Sequence, residues 1–250
     1  MPPLIRLIVS LIASAQARDV PSNVRNFYNS VVKQVKCNKP LATGFYDMKN
    51  SNDASFVYCG DHINDYGIIY LQGGNGKLAN MDIDCDGNIE KNNDGRCDNA
   101  HDIHSRTAFK SYVSAYSNGV PDLNPFVHDY VVFGNTNAAN RPDWPTFDPR
   151  DQGMKPLSVM AVIYGIWGDT NGVDGDNARV GESSISMGTL CFGDGVNGEV
   201  GYDEEDILYI GFIGGGAVPG TAAKWTADNE TDFEASIRSL GDKLIEQIEA

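Results

Sequence analysis

The chain has 250 residues and a formal charge of −15, from 34 acidic and 19 basic side chains, and 41% of it is hydrophobic. That length fits one domain, because all-β barrels and sandwiches reach this size undivided. So negative a chain repels nucleic acid and anionic lipid, which sets both aside as partners, and attracts a cationic polymer; plain solubility accounts for the same acidity about equally well.

Met1 to Ser14 carries one cation, Arg6, ahead of the apolar Leu7, Ile8, Val9, Leu11 and Ile12, and the small-residue site Ala15-Gln16-Ala17 follows. This pattern predicts a secretory signal peptide over 1–17 and a single domain over 18–250 that starts at Arg18. A bilayer span takes about 20 apolar residues, more than this run or any later one supplies, so no membrane segment is expected. Losing Arg6 with the leader takes the formal charge from −15 to −16. The expectation is an extracellular monomer without a cofactor.

Pro21 to Lys36 repeats Val24, Phe27, Tyr28, Val31, Val32 and Val35 at helical spacing, the stripe of an amphipathic helix. Short β-branched and aromatic runs follow at Phe56 to Cys59, Tyr66 to Leu71, His128 to Phe133, Val159 to Trp167, Ile185 to Phe192 and Ile207 to Ile213, divided by Gly, Asn and Asp turns. These runs predict strands. Phe233, Ile237, Leu240, Leu244 and Ile248 predict a closing helix. The expected fold is mainly β, a single-domain barrel-like β core with flanking N- and C-terminal helices.

Five cysteines in a secreted chain favour disulfides and leave at least one thiol over. Cys85 to Cys97, closing the polar loop Asp86 to Arg96, is the first choice and Cys37 to Cys59 the second, with Cys191 a buried small hydrophobe. In Asp82-Ile-Asp84-Cys-Asp86-Gly87 the first half of an EF-hand loop is present, yet position twelve is Asn93 rather than Glu. Asp82, Asp84 and Asp86 are therefore weak metal candidates, and a disulfide-closed loop of Asx turns is the expectation. His101 and His104 read as a surface loop, and Asp203-Glu-Glu-Asp206 as a solvated edge.

Thirteen residues separate Asp169, at the end of Tyr164-Gly-Ile-Trp-Gly-Asp169, from Glu182, in Val180-Gly-Glu182-Ser-Ser-Ile. Strand, Gly-rich turn and return place both acids on one rim, and two facing carboxyls are what acid/base glycosidic cleavage needs. Trp167 is the expected sugar platform, and Asp174 and Asp176 in the turn are the expected substrate-binding acids.

These two runs, together with Met81-Asp-Ile-Asp-Cys-Asp-Gly87 and His128-Asp-Tyr-Val-Val-Phe-Gly134, resemble the fungal chitosanases of glycoside hydrolase family 75, from about Tyr28 to the C-terminus. The resemblance implies endo-hydrolysis of the β-1,4 bonds of chitosan with inversion, by an Asp and a Glu that match Asp169 and Glu182. It also implies a barrel related to the double-psi type. Chitosan is cationic, in keeping with the charge of the chain. We assign Glu182 as proton donor and Asp169 as base; which carboxyl is buried enough to stay protonated decides this, and sequence does not show it. Two other readings stand beside this one: a chitinase-like secreted carbohydrase, and a non-catalytic calcium- or sugar-binding module built on Asp82, Asp84 and Asp86.

Overall fold

The computed structural model describes residues 20–249 except 51, 90, 102, 117–118, 137–140, 162 and 173–175. The leader expected over 1–17 and the acid Asp174 lie outside the described residues.

The first stripe forms α1 (Ser22–Lys33), which buries Val24, Phe27 and Val31. It is pinned to the sheet where the Gln72 amide donates to the Val31 carbonyl at 2.9 Å. Strands β1 (Pro40–Phe45), β2 (Phe56–Cys59), β3 (Ile68–Gln72) and β4 (Ala79–Asp84) follow, then α2 (Lys110–Tyr116) and β5 (Tyr130–Asn135). The apolar run from Val159 does not continue as one strand. It folds back as an antiparallel hairpin, β6 (Val159–Ala161) on β7 (Gly165–Asn171), with Val159 opposite Ile166. After β8 (Glu182–Ser184), Ile185–Phe192 is a helix, α3, where the sequence reading had a strand. Short apolar runs do not betray their period; here the Ser184 hydroxyl accepts the Met187 N–H at 3.3 Å, an N-cap that starts a helix.

Strands β9 (Tyr202–Ile207) and β10 (Ile210–Phe212) precede the closing helix α4 (Glu230–Ile245). Asn229 caps α4 by accepting the Asp232 N–H at 2.9 Å, and Glu230 and Asp232 lie in its first turn, where negative charge favours a helix. Its apolar stripe buries Phe233, Ile237, Leu244 and Ile245.

The ten strands form one sheet in the order β1-β2-β3-β10-β6-β7-β5-β8-β4-β9. The expectation of a mainly β fold with helices at both ends holds, but the sheet is open rather than closed into a barrel. No ladder joins β1 to β9. Side chains span that gap instead: Lys49, just past β1, donates to the Asp203 carbonyl of β9 at 2.6 Å, and Lys77 bridges Asp53 and Glu205 at 3.3 and 3.0 Å. Cys37–Cys59 and Cys85–Cys97 are bonded, with Cα atoms 5.8 and 6.0 Å apart, and Cys191 is free and partly buried, its thiol pKa pushed up to about 12 by burial.

Candidate active site

Four neighbouring strands, β7, β5, β8 and β4, carry a row of in-register residues. Val132 of β5 pairs with Asp169 of β7 on one side and Glu182 of β8 on the other, and Glu182 pairs in turn with Asp82 of β4. Residues directly opposite in adjacent strands point to the same face. Asp169, Glu182 and Asp82 therefore face one way, and they line a groove of about 750 Å³ together with Val132. The two acids are not on paired arms of a hairpin, as strand, turn and return suggested: β5 lies between them. Two strand spacings set their Cα atoms roughly 9–10 Å apart.

Each acid is aimed by the glycine before it. The β5–β7 register runs Val131 to Trp167 and Val132 to Asp169, so Gly168 is an extra residue, a bulge. Without it Gly168 would face the groove and Asp169 would turn away. Only glycine fits there, because a Cβ would lie 2.5 Å from the Tyr130 Cβ. Gly181 has φ +93°, a backbone that L side chains avoid, and a Cβ there would come within 2.8 Å of the Asn80 side chain. Gly168→Ala and Gly181→Ala are each expected to cost about 1–3 kcal/mol of stability and to lower the turnover rate, since each moves one carboxyl. Thermal unfolding and initial rates check this; an alanine that alters neither would remove that glycine from the account.

Asp169 is 6% exposed. Its Oδ1 accepts the Ala108 N–H at 3.0 Å and the Thr170 N–H at 2.7 Å, whereas Oδ2 is buried with no hydrogen-bond partner among the described residues. Burial first and the charge of Asp84 second hold its pKa well above the usual carboxylate range, and the two N–H groups pull the other way. Glu182 is half-buried at the groove surface, and burial, then Asp84 and Asp82, push its pKa to about 8 against the opposing charge of Arg179. Burial followed by Asp86 raises Asp84 to about 7, and Asp82 also reaches about 7, through burial and then Asp47 and Asp203.

The acids read as half of an EF-hand are in fact groove acids. Asp82 and Asp84 belong to strand β4, where residues two apart share a face, so they lie along the groove. One oxygen each of Asp84, Asp86 and Asp169 lie within 4.8 Å of one another. Asp84 Oδ1 accepts the Asp86 N–H at 2.7 Å. Asp86 accepts the His104 N–H at 2.7 Å and meets its ring Nδ1 at 2.9 Å. His104 thus belongs to the groove, and His101, exposed and 3.8 Å from Glu199, lines it as well.

Trp167 is fully buried, edge-on to Phe109 with ring centroids 4.7 Å apart, so it underpins the site and has no face free to stack on a sugar. Asp176 is exposed and is not part of the groove wall, where its neighbour Asn177 is. Asp84, Asp86, His104 and Arg179 were missed as groove residues, although the alternation in Met81-Asp-Ile-Asp carries the signal for the first of them.

Residues 81–247 match the family described as fungal chitosanase of glycosyl hydrolase group 75. An endo-chitosanase of Aspergillus fumigatus is 43% identical over 251 residues, covering 98% of each chain. One from Aspergillus oryzae is 45% identical over 252 residues and 97% of each, and an endo-chitosanase B of the same organism is 42% identical over 98% of each. With the Gly-Asp and Gly-Glu elements on one groove face, this chain belongs to the fungal chitosanase family of glycosyl hydrolase group 75.

Proposed function

We propose that the protein is a secreted, endo-acting glycoside hydrolase that cleaves the β-1,4-glucosaminide bonds of chitosan in one displacement, with inversion at the anomeric carbon. The observation that carries this reading is the row across β7, β5 and β8, which faces Asp169 and Glu182 into one groove with a strand between them. Inverting hydrolases need carboxyls about 6.5–9.5 Å apart so that a water fits beneath the sugar, and two strand spacings supply a separation of that order. The match to proteins named endo-chitosanase over nearly their whole length, and the charge of −15, support the substrate.

Glu182 is the proton donor. Its raised pKa keeps it protonated in the mildly acidic range in which chitosan is cationic, and among the described residues it accepts none of the backbone N–H groups that would stabilise a charge. We assign Asp169 as the base on its hydrogen bonds, which oppose the burial that raises its pKa: Ala108 and Thr170 donate to its Oδ1 and favour the ionised form, leaving Oδ2 to take a proton from water. The leader pattern over 1–17, two disulfides and the lack of any described helix long and apolar enough to cross a membrane support secretion of one domain over 18–250.

Digestion of chitosans of graded acetylation, followed by reducing ends and by proton NMR of a glucosamine oligomer, tests the reading. The rate should fall as acetylation rises, because each acetyl group removes a cation, and the α-anomer should appear first. Faster cleavage of highly acetylated polymer would point to the chitinase-like alternative. Initial β-anomer would replace inversion by a covalent glycosyl intermediate.

A further inference from the structure

We propose that Asp84, Asp86 and Asp169 form a seat for one glucosamine ammonium group, so that Asp84 and Asp86 select a deacetylated sugar beside the bond being cut. This rests on the chitosan-cleaving reading above and adds to it the position at which a free amine is required.

The geometry is that of an ammonium site. Three oxygens, one from each acid, lie within 4.8 Å of one another. Three points no further apart than this have a common centre at most about 2.8 Å from each, the length of an N⁺–H···O⁻ hydrogen bond. An ammonium offers three N–H donors and no acceptor, so three carboxyl oxygens saturate it, and its charge favours the ionised form of the acids around it. The site also shows an unmet need. Asp169 is 6% exposed and its Oδ2 has no partner among the described residues, an acceptor with two lone pairs that can take an ammonium N–H beside the proton of the attacking water. No Lys or Arg forms an ion pair with Asp84 or Asp169 among the described residues, although Arg106 and Arg179 line the same groove.

The seat is held in shape without the sugar. The Asp86 N–H fixes Asp84 Oδ1, the His104 N–H and ring fix the Asp86 carboxylate, and the Tyr130 hydroxyl donates to the Asp86 carbonyl at 2.8 Å. Cys85, between the two acids, is tied to Cys97. An N-acetyl group fails on two counts. It presents a carbonyl oxygen to three acceptors and has a single N–H to satisfy them. A calcium ion is the poorer match, since it takes six to eight oxygens at about 2.3–2.6 Å and the cluster brings together three acids. An ammonium beside Asp169 also favours its ionised form, the form a base requires.

The test sequences the ends produced from partially acetylated chitosan by the wild type and by Asp84→Asn and Asp86→Asn, each first checked for folding by thermal unfolding. In the wild type, glucosamine should occupy one side of the cut almost without exception. In each variant the share of acetylated sugar at that side should rise by about tenfold, the worth of one charge-assisted hydrogen bond. Unchanged selectivity on both sides in both variants overturns the seat and leaves chitosan hydrolysis standing; failure of the wild type to cut chitosan overturns the underlying reading instead. If a variant cuts too slowly for sequencing, calorimetry in the non-cleaving Glu182→Gln background decides. Adding Asp84→Asn should weaken glucosamine tetramer binding about tenfold and leave the N-acetylglucosamine tetramer unaffected. Equal effects on the two tetramers overturn the seat, and so does calcium chloride binding that needs Asp84 when glucosamine binding does not.

Discussion

Asp169→Asn and Glu182→Gln are each expected to lower kcat on chitosan by at least about a hundredfold, the usual contribution of one general acid or base. The two losses should not multiply in the double variant, because proton donation and water activation serve one transition state. Neither substitution should destabilise the fold: both carboxyls are held against their tendency to ionise, and an uncharged isostere relieves that. For Glu182→Gln the loss should lie in kcat with KM little changed, as the ammonium-binding acids are elsewhere. Retention of more than a tenth of the wild-type rate in either variant would remove that residue from the mechanism.

The second large effect is on pH. With Glu182 titrating near pH 8, kcat on saturating glucosamine oligomer should fall about tenfold for each unit above that, as the donor loses its proton. Stability follows the same groups. Asp82 and Asp84 titrate near 7 and Glu182 near 8 in the folded chain, whereas unfolded carboxyls titrate near 4. The native state therefore binds more protons than the unfolded one above about pH 4, and stability is lost as pH rises through 7 and 8. His128, buried and lowered to about 4, works the other way, adding stability as pH rises, but only up to its unfolded value of about 6.5. The clear window is thus about pH 6.5 to 8. Urea unfolding at both ends of it should find the protein weaker at the upper end, with a shallower fall in Glu182→Gln; equal stability at the two ends would contradict the carboxyl account.

Asp169 and Glu182 were legible because each stands behind a glycine beside an apolar run, and the structure gives that glycine a job: a bulge at Gly168 and a positive φ at Gly181. The helices α1 and α4 were legible from their apolar stripes. The acids of β4 were misread because positions one, three and five of a calcium loop have the same spacing as one face of a strand. Nothing local distinguishes the two; the pairing of Asp82 with Glu182 does. Asp203 to Asp206 was read as a solvated edge and forms β9, the edge strand, where exposed charge keeps other chains from pairing. Trp167 misled for another reason. Nearness in sequence to Asp169 says nothing about which side of the sheet an indole takes, and this one is core.

The strand between the two acids also bears on how the enzyme comes into being. Asp82 and Glu182 meet through a parallel pairing of β4 with β8, β5 pairs in parallel with β7, and in neither pair do the two strands follow one another in the chain. Contacts between such distant segments close large loops and form slowly. No shorter stretch holds the whole acidic row, so Asp169, Glu182 and Asp82 exist as a unit only once segments from residue 79 to residue 184 have all docked. During refolding, secondary structure returns ahead of hydrolysis, and the first detectable cleavage marks the completed sheet.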